Sequence, residues 1–228
     1  MSIKSKVLAA AATLTLIGGI STAGALSANA ATPPCGHSCI DIFLHKFGTH
    51  RSPNFVLDVF RGTASVNQPI ILFRASSSDA AEDFTVSFQG TVQDFFNAGL
   101  VSAAFNLHFS DLAAFEFEYT PSGVGTNLCV GVATTAANRT PVSLQPCGAS
   151  AKTVWAVDSH DSIRGFYVPL INGSDTNFSH PFVLHYPGNA FPTDIPRPQL
   201  NTFNLQKFSN GAVFDNELWG ANFGVLRQ

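Results

Sequence analysis

The sequence predicts an all-β fold in which one unit of about four short strands occurs three times and closes into a barrel with approximate threefold symmetry. The main observation is internal repetition. The segments Asn54–Val59, Asn127–Val132 and Pro181–Tyr186 read NFVLDV, NLCVGV and PFVLHY, and two further apolar segments follow each of them in the same order. The second observation is an alternation of apolar and polar residues, bounded by Gly, Pro, Asn and Ser, which is typical of strands joined by turns.

Anchor positions align the three copies with one another. In the order of the three segments, the proposed equivalents are Leu57, Val130 and Leu184, then Leu72, Leu144 and Leu205, then Phe84, Trp155 and Trp219. The second set is spaced unevenly, at 144 − 72 = 72 and 205 − 144 = 61 residues. Insertions are therefore expected, at Gly90–Ser110 and Pro187–Leu200. Both tryptophans are expected in the core, and the alternative to the barrel is a two-sheet sandwich.

The first thirty residues have the pattern of a secretory signal. A basic start, an apolar run of small residues and the Ala28-x-Ala30 motif predict cleavage after Ala30, with a membrane anchor as the alternative. The expected mature chain, 31–228, is one domain with repeats near 39–89, 113–158 and 165–224.

The charge of that mature chain is mildly negative. Loss of Lys4 and Lys6 leaves 12 − 2 = 10 basic residues against 15 acidic ones, a net charge of −5. The chain has no basic cluster, so we expect neither nucleic acid nor a membrane as a partner. We expect a monomer located outside the cell.

In an exported protein, four cysteines can form two disulfides in three alternative pairings. Proximity in the chain favours Cys35–Cys39 and Cys129–Cys147. As an alternative, Cys35 and Cys39 could bind a metal ion together with His37. Because no second ligand cluster lies near them in the sequence, we expect disulfides, with no metal and no cofactor.

The second copy resembles a subdomain of the ricin-type β-trefoil lectins. It has the Cys129-x-Gly-Val opening, the PVSLQPCG strand that ends in Cys147, and Trp155 eight residues later. The resemblance implies a β-trefoil with inserted loops and the binding of a glycan or polysaccharide. In that family, an aspartate of the first segment and an aromatic residue of the second contact the sugar, and a polar pair before the third completes the site.

Carried over to this chain, the resemblance implies a carbohydrate site in the first copy. Asp58 stands at the aspartate position, Phe73 at the aromatic position, and Ala81 with Glu82 at the polar pair. The aspartate and aromatic positions of the second and third copies hold Gly131 with Gln145 and His185 with Gln206. The alternatives are that Asp58 only caps a turn and that Phe73 is a core residue.

A different function is a protein-binding or protease-inhibiting role for the loop 187–199, which contains four prolines. A stiff loop loses little entropy on binding, and an extracellular protein is then the partner. The docking residues would be Ile195, Pro196, Arg197 and Pro198. The segment Asp158–Ser162 reads DSHDS, but neighbours along a chain do not converge as a catalytic triad must. That segment is expected to be a turn, and the protein is expected to be non-enzymatic.

Overall fold

Twelve β-strands, in three sets of four, run through the part of the chain that the structure describes. This structure is a computed structural model, and the described residues are 39–47, 55–76, 78–163, 166–188 and 198–223. Two compact units divide the chain, Met1–Ala31 and Thr32–Gln228, and the described residues all belong to the second. The predicted signal segment lies outside them. None of the helices described is long and apolar enough to cross a membrane.

Each set of four strands forms one repeat. Repeat 1 consists of β1 (Cys39–Leu44), β2 (Phe55–Val59), β3 (Ile70–Arg74) and β4 (Phe84–Thr91). Repeat 2 consists of β5 (Ala113–Tyr119), β6 (Leu128–Val132), β7 (Thr140–Pro146) and β8 (Trp155–Val157). Repeat 3 consists of β9 (Leu170–Asn172), β10 (Phe182–His185), β11 (Asn201–Asn204) and β12 (Trp219–Phe223). Short 3-10 turns lie at His45–Phe47, Phe60–Gly62, Ala80–Glu82, Pro121–Gly123, Ala151–Thr153 and Asp215–Glu217.

The first and last strands of the three repeats close a six-stranded barrel. β1 pairs with both β12 and β4, β4 with β5, β5 with β8, and β8 with β9. Val168, just before β9, exchanges two backbone hydrogen bonds of 2.9 Å with Trp219 of β12, which completes the circle. Closure leaves these strands without a free edge.

The middle strands form three hairpins, β2–β3, β6–β7 and β10–β11. The hairpins meet one another through pairing of β7 with β11 and through single bridges from Pro69 to Ser143 and from Ile71 to Gln199. A six-stranded barrel joined to three hairpins with threefold repetition is the β-trefoil fold. The predicted fold class is therefore confirmed.

The two tryptophans fill equivalent places in the core. Trp155 and Trp219 are almost wholly buried, and the indole Nε1 of each donates to a backbone carbonyl of the neighbouring hairpin, Val130 at 2.9 Å and Leu184 at 2.8 Å. Phe84 takes the same place in repeat 1. The predicted core role of the tryptophans is confirmed, and each indole satisfies its polar group while burying a large apolar surface.

The alignment of repeat 3 with the other two repeats is wrong in its second segment. Leu57 and Val130 lie opposite Leu72 and Leu144, whereas Leu184 lies opposite Thr202, three residues before the expected Leu205. Thr202 is fully buried, and its hydroxyl donates to the carbonyl of Ala137 at 2.7 Å. A threonine whose hydroxyl is hydrogen-bonded thus occupies a leucine position, and the matching of apolar residues selected Leu205 instead.

The first insertion forms two short helices between β4 and β5, α1 (Val92–Asn97) and α2 (Ala103–Phe109). Thr91 and Asp94 make a capping box at the start of α1, and the Ser102 hydroxyl caps α2. Two buried phenylalanines, Phe95 and Phe105, anchor the helices in the outer part of the core.

One of the predicted disulfides, Cys129–Cys147, is confirmed. It joins the first strand of the repeat 2 hairpin to the turn that follows the second, and it closes a loop whose ends are 18 residues apart. Cys39 is also disulfide-bonded. Cys35 and His37 lie outside the described residues. The Cys35–Cys39 disulfide and the alternative metal site therefore stay predictions.

Candidate functional site

A pocket of about 250 Å³ opens in repeat 1 between the β2–β3 hairpin and the turn Ala80–Glu82. Two of the three residues that the sequence predicted for sugar binding lie in its wall. The lining residues are Asp58, Phe60, Arg61, Gly62, Phe73, Asp79 and Ala81.

The hairpin register brings the two predicted residues to one face. Asp58 of β2 lies opposite Ile71, and Phe73 of β3 lies opposite Val56. Side chains alternate between the faces of a strand, so Asp58 and Phe73 are diagonal neighbours on the same face. Phe73 is half-buried rather than a core residue, while Asp58 is only 4% exposed at the floor of the pocket.

Acidic groups crowd this floor. Asp79 caps the turn Ala80–Glu82 by accepting from the amide of Ala81 at 3.0 Å. Asp58, Asp79 and Glu82 each place one carboxylate oxygen within 4.8 Å of the other two. Burial, and then the negative charges of Asp58, Asp83 and Asp79, raise the pKa of Tyr119 to about 12. The pocket therefore offers several hydrogen-bond acceptors at close range.

Glu82 is not among the residues that line the pocket. It is 2% exposed, and both of its oxygens accept from the amide of Ser76, at 3.0 and 3.1 Å. Glu217, at the same position of repeat 3, accepts from the amide of Gln206 at 2.8 Å in the same manner. In both repeats, the glutamate thus holds the loop that follows the hairpin. Glu82 therefore braces this loop in repeat 1. Its direct contact with a sugar stays a prediction.

Sequence reasoning missed two residues at this pocket, Asp79 and Arg61. Asp79 stands two residues before Ala81, where a turn-capping aspartate is expected, and that signal could have found it. Arg61 adopts a left-handed backbone with φ of 62°, and its guanidinium lies 5.0 Å from the ring centroid of Phe60. The cation therefore stands at the rim of an acidic pocket, a position that no spacing rule anticipates.

In repeat 2, backbone atoms lie where the repeat 1 pocket would have its counterpart. Gly131 occupies the aspartate position, and a Cβ there would lie 2.7 Å from the carbonyl oxygen of Lys152. No side chain fits at that distance without movement of the Ala151–Thr153 turn. Gln145, at the aromatic position as predicted, instead donates to Asn67 and Ser143.

The equivalent place in repeat 3 is filled by the protein itself. The aromatic position is Phe203, which lies opposite Val183, so its assignment to Gln206 is wrong for the same reason as the misplaced leucine. The His185 ring stacks on Phe203 with centroids 5.0 Å apart and an interplanar angle of 29°. A histidine at the aspartate position thus covers the aromatic face that a sugar would need.

Both ring nitrogens of His185 are engaged. Nδ1 lies 2.9 Å from Asn201 Oδ1, and Nε2 lies 2.9 Å from Asn216 Nδ2. An amide nitrogen only donates, so this arrangement holds a neutral ring with its proton on Nδ1. Burial is the main cause that lowers the pKa of His185.

The loop expected to dock a protein lies largely outside the described residues. Of its proposed contact residues, Pro198 is described and half-buried, whereas Ile195, Pro196 and Arg197 are not described. The protein-binding or protease-inhibiting role of 187–199 stays a prediction. Deletion of that loop should abolish any inhibition that is found.

Comparison with known proteins bears on the fold. No protein-family model matches the chain, and no curated protein matches it in sequence. Among solved structures, the designed threefold-symmetric protein ThreeFoil matches with a TM-score of 0.51 at 13% identity, over 81% of this chain and 97% of that one. A mosquitocidal holotoxin matches with a TM-score of 0.51 at 12% identity, over 82% of this chain and 17% of that one.

A β-trefoil lectin is also among the matched structures. The lectin of the Vibrio vulnificus hemolysin/cytolysin, solved with N-acetyl-D-lactosamine bound, matches with a TM-score of 0.47 at 10% identity, over 83% of this chain and 96% of that one. The match to ThreeFoil, at 13% identity, bears on the fold alone, and it supports the β-trefoil independently of the strand pairing.

Proposed function

We propose that the protein is a secreted, non-enzymatic carbohydrate-binding module that holds one sugar unit in the pocket of repeat 1. The observation that carries the proposal is the placing of the Phe73 ring beside the carboxylates of Asp58 and Asp79 in one open pocket. A pyranose offers an apolar ring face and a set of hydroxyl groups, and it needs both an aromatic surface and strong acceptors.

In this proposal, each lining group has a distinct role. Phe73 stacks on the apolar face of the sugar and buries it against the ring. Asp58 and Asp79 accept from sugar hydroxyls, and a hydrogen bond to a charged group contributes about 1.5–3 kcal/mol. Arg61 donates from the rim, and Glu82 holds the loop behind the pocket. Because the ligand must also lose its freedom of motion, we expect dissociation constants of about a micromolar to a millimolar for a single unit.

Binding of a glycan panel tests the site. The secreted protein and its Asp58→Asn variant are compared, and the amide keeps the size of the side chain while it removes the charge. We expect at least about tenfold weaker binding in Asp58→Asn, the equivalent of 1.4 kcal/mol. Asp215→Asn, at an exposed carboxylate of repeat 3, is the matched control and should bind like the parent. Equal binding by Asp58→Asn and the parent would refute the site.

Export rests on the sequence and has its own test. The basic start, the apolar run and the Ala28-x-Ala30 motif support cleavage after Ala30, and disulfides are typical of exported proteins. Amino-terminal sequencing of the protein from the culture medium should begin at Ala31. Retention of the full-length chain inside the cell would contradict export, and it would leave the proposal for the sugar site unaffected.

A further inference from the structure

A larger cavity of about 580 Å³ lies between the inserted helix α2 and repeat 3. Phe109, the last residue of α2, forms part of its wall, and Phe178 and Lys207 from the two sides of the β10–β11 hairpin form others. The cavity is distinct from the place in repeat 3 equivalent to the repeat 1 pocket, because His185 and Phe203 do not line it.

The segment Asp158–Ser162 contributes two carboxylates, Asp158 and Asp161, to the polar lining of this cavity. That segment is a turn, as predicted: Asp158 Oδ1 accepts from the amides of His160 and Asp161, at 3.1 and 3.3 Å. Asp158 is 8% exposed, and Asp161 makes an ion pair with Lys207, whose Nζ lies 2.6 Å from Oδ2 and 2.7 Å from Oδ1. A carboxylate and an ammonium that are bonded to each other therefore lie side by side in the lining of the cavity.

The apolar part contains an aromatic ring held by its neighbours. Phe178 stacks on His108, with centroids 4.4 Å apart and planes 18° from parallel, and Phe109 meets it edge-on with a centroid distance of 6.1 Å. Pro181 and Leu205 add buried apolar surface to the lining. Rings that neighbours hold lose little further rotamer freedom when a ligand contacts them.

The chemistry of the lining selects a class of ligand. A hydroxyl both donates and accepts, so two adjacent hydroxyls of a sugar match the carboxylate of Asp161 beside the ammonium of Lys207. The aromatic and aliphatic walls match the apolar face of a pyranose. Two carboxylates, Asp158 and Asp161, against one ammonium disfavour sugars that carry a carboxylate of their own.

We infer that this cavity is a second saccharide-binding site, selective for neutral sugar units, and that the inserted helix α2 exists in part to build its wall. The inference rests on the proposed function in its choice of ligand class. Two sites on one chain would bind a polysaccharide more tightly than either alone, because the second contact becomes intramolecular.

An NMR titration of the secreted protein tests the inference, with the methyl glycosides of galactose, glucose, mannose and N-acetylglucosamine as probes at tens of millimolar. Amide resonances of Ser179, His180 and Lys207 report on the cavity, and those of Gly62 and Ala81 report on the repeat 1 pocket. We expect a neutral glycoside to shift the cavity amides in a saturable manner. Methyl glucuronide should leave those amides unshifted.

Variants separate the two sites. Lys207→Met should raise the dissociation constant measured at the cavity amides by about tenfold or more and leave the repeat 1 values unchanged. Lys207 is partly exposed in an ion pair, so the fold should survive its loss. Lys152→Met, at a lysine whose ammonium donates to the carbonyl of Ala133, is the control and should change neither site.

The outcomes distinguish this inference from the proposed function. Shifts at Gly62 and Ala81 without shifts at the cavity amides would overturn the inference and leave the repeat 1 site intact. Shifts at the cavity amides alone would support the inference and overturn the repeat 1 assignment. Cavity shifts that persist at full strength in Lys207→Met, or an absence of shifts at both places, would overturn the inference.

Discussion

Repeats 1 and 3 carry the same hairpin but differ in the residue that lies beside their aromatic position. Phe73 and Phe203 occupy the same register, each opposite a valine of the preceding strand. The diagonal neighbour is Asp58 in repeat 1, where a pocket is open, and His185 in repeat 3, where the imidazole covers the phenylalanine. The trefoil fold therefore places an aromatic ring at the same position in both repeats. The residue beside that ring determines whether the ring is open or covered.

A second difference lies in the bracing carboxylate. Glu82 of repeat 1 directs both oxygens to one amide, whereas Glu217 of repeat 3 directs only Oε2 to an amide. Glu217 is fully buried, and its Oε1 has no hydrogen-bond partner among the described residues. Burial raises the pKa of Glu217 to about 8. Repeat 3 thus buries a carboxylate oxygen without a described hydrogen-bond partner. At the same position of repeat 1, both oxygens of the glutamate accept a hydrogen bond.

The largest expected effect is that of Glu217→Gln on stability. The folded-state pKa lies above the ordinary value of 4.5, so the folded protein takes up a proton that the unfolded chain releases. That stability is fully present below pH 4.5 and is lost as the pH rises through about 8. A shift of this size corresponds to at most about 5 kcal/mol, and a buried unpaired amide would offset about 1–3 kcal/mol of the gain.

We therefore expect Glu217→Gln to raise the free energy of unfolding by roughly 2–4 kcal/mol above pH 8. Below pH 4.5, where the carboxyl is neutral and only the cost of the amide remains, we expect it to lower that free energy by about 1–3 kcal/mol. Denaturant unfolding across this pH range measures the effect. An equal change at both ends of the range would contradict the burial of an uncompensated carboxylate.

The next largest effect concerns the two aromatic positions. Phe73→Ala should weaken glycan binding by about tenfold or more, since the sugar loses its stacking surface. Phe203→Ala removes the ring at the same register of repeat 3 and should leave glycan affinity unchanged. Calorimetric titration of both variants checks the pair. Equal losses in the two variants would show that the open and the covered repeats are not functionally different.

A third prediction converts one repeat towards the other. His185→Asp removes the imidazole that covers Phe203 and places a carboxylate beside Asn216, so repeat 3 gains the pair of a carboxylate and an aromatic ring that Asp58 and Phe73 form in repeat 1. We expect a weak additional saccharide site, detected as saccharide-dependent shifts of the Asn216 side-chain amide by NMR. Some stability should be lost, because the new carboxylate is buried. Absence of those shifts in a folded variant would mean that more than this residue closes the site.

The smallest effect is the titration of His185. Burial lowers its pKa, so the neutral ring contributes stability that is present above the ordinary value of 6.5 and is lost as the pH falls through the folded-state value. The ring-proton shift of His185, followed by NMR, should show a midpoint below 6.5. A midpoint at or above that value would contradict the neutral ring held between Asn201 and Asn216.

The sequence predicted the β-trefoil because apolar triplets and core aromatics recur in the same order in three copies. The resemblance to ricin-type lectins indicated Asp58 and Phe73, and the structure brings the two together because both lie inside regular strands, where alternation fixes the face on which a side chain lies. The matching of the three copies misaligned repeat 3 because Thr202 satisfies its hydroxyl internally and takes the place of a leucine. Apolar matching alone cannot detect such an exchange.

The rest of the two candidate sites depends on loops. Asp79 and Arg61 reach the repeat 1 pocket from turns, and the second cavity requires helix α2, the Asp158–Ser162 turn and the segment around Phe178 to meet. The second cavity joins residues that are far apart in the sequence, from Phe109 to Lys207. Strand periodicity carries no information about them, whereas short-range turn rules could have found the cap at Asp79.

The most direct test of the central claim is a crystal structure of the protein with the best-binding glycan of the panel. The account predicts a pyranose stacked on Phe73 with hydroxyls on Asp58 and Asp79, and no sugar on Phe203, which His185 covers. A glycan bound on the Phe203 side, with the repeat 1 pocket empty at a saturating concentration, would contradict it.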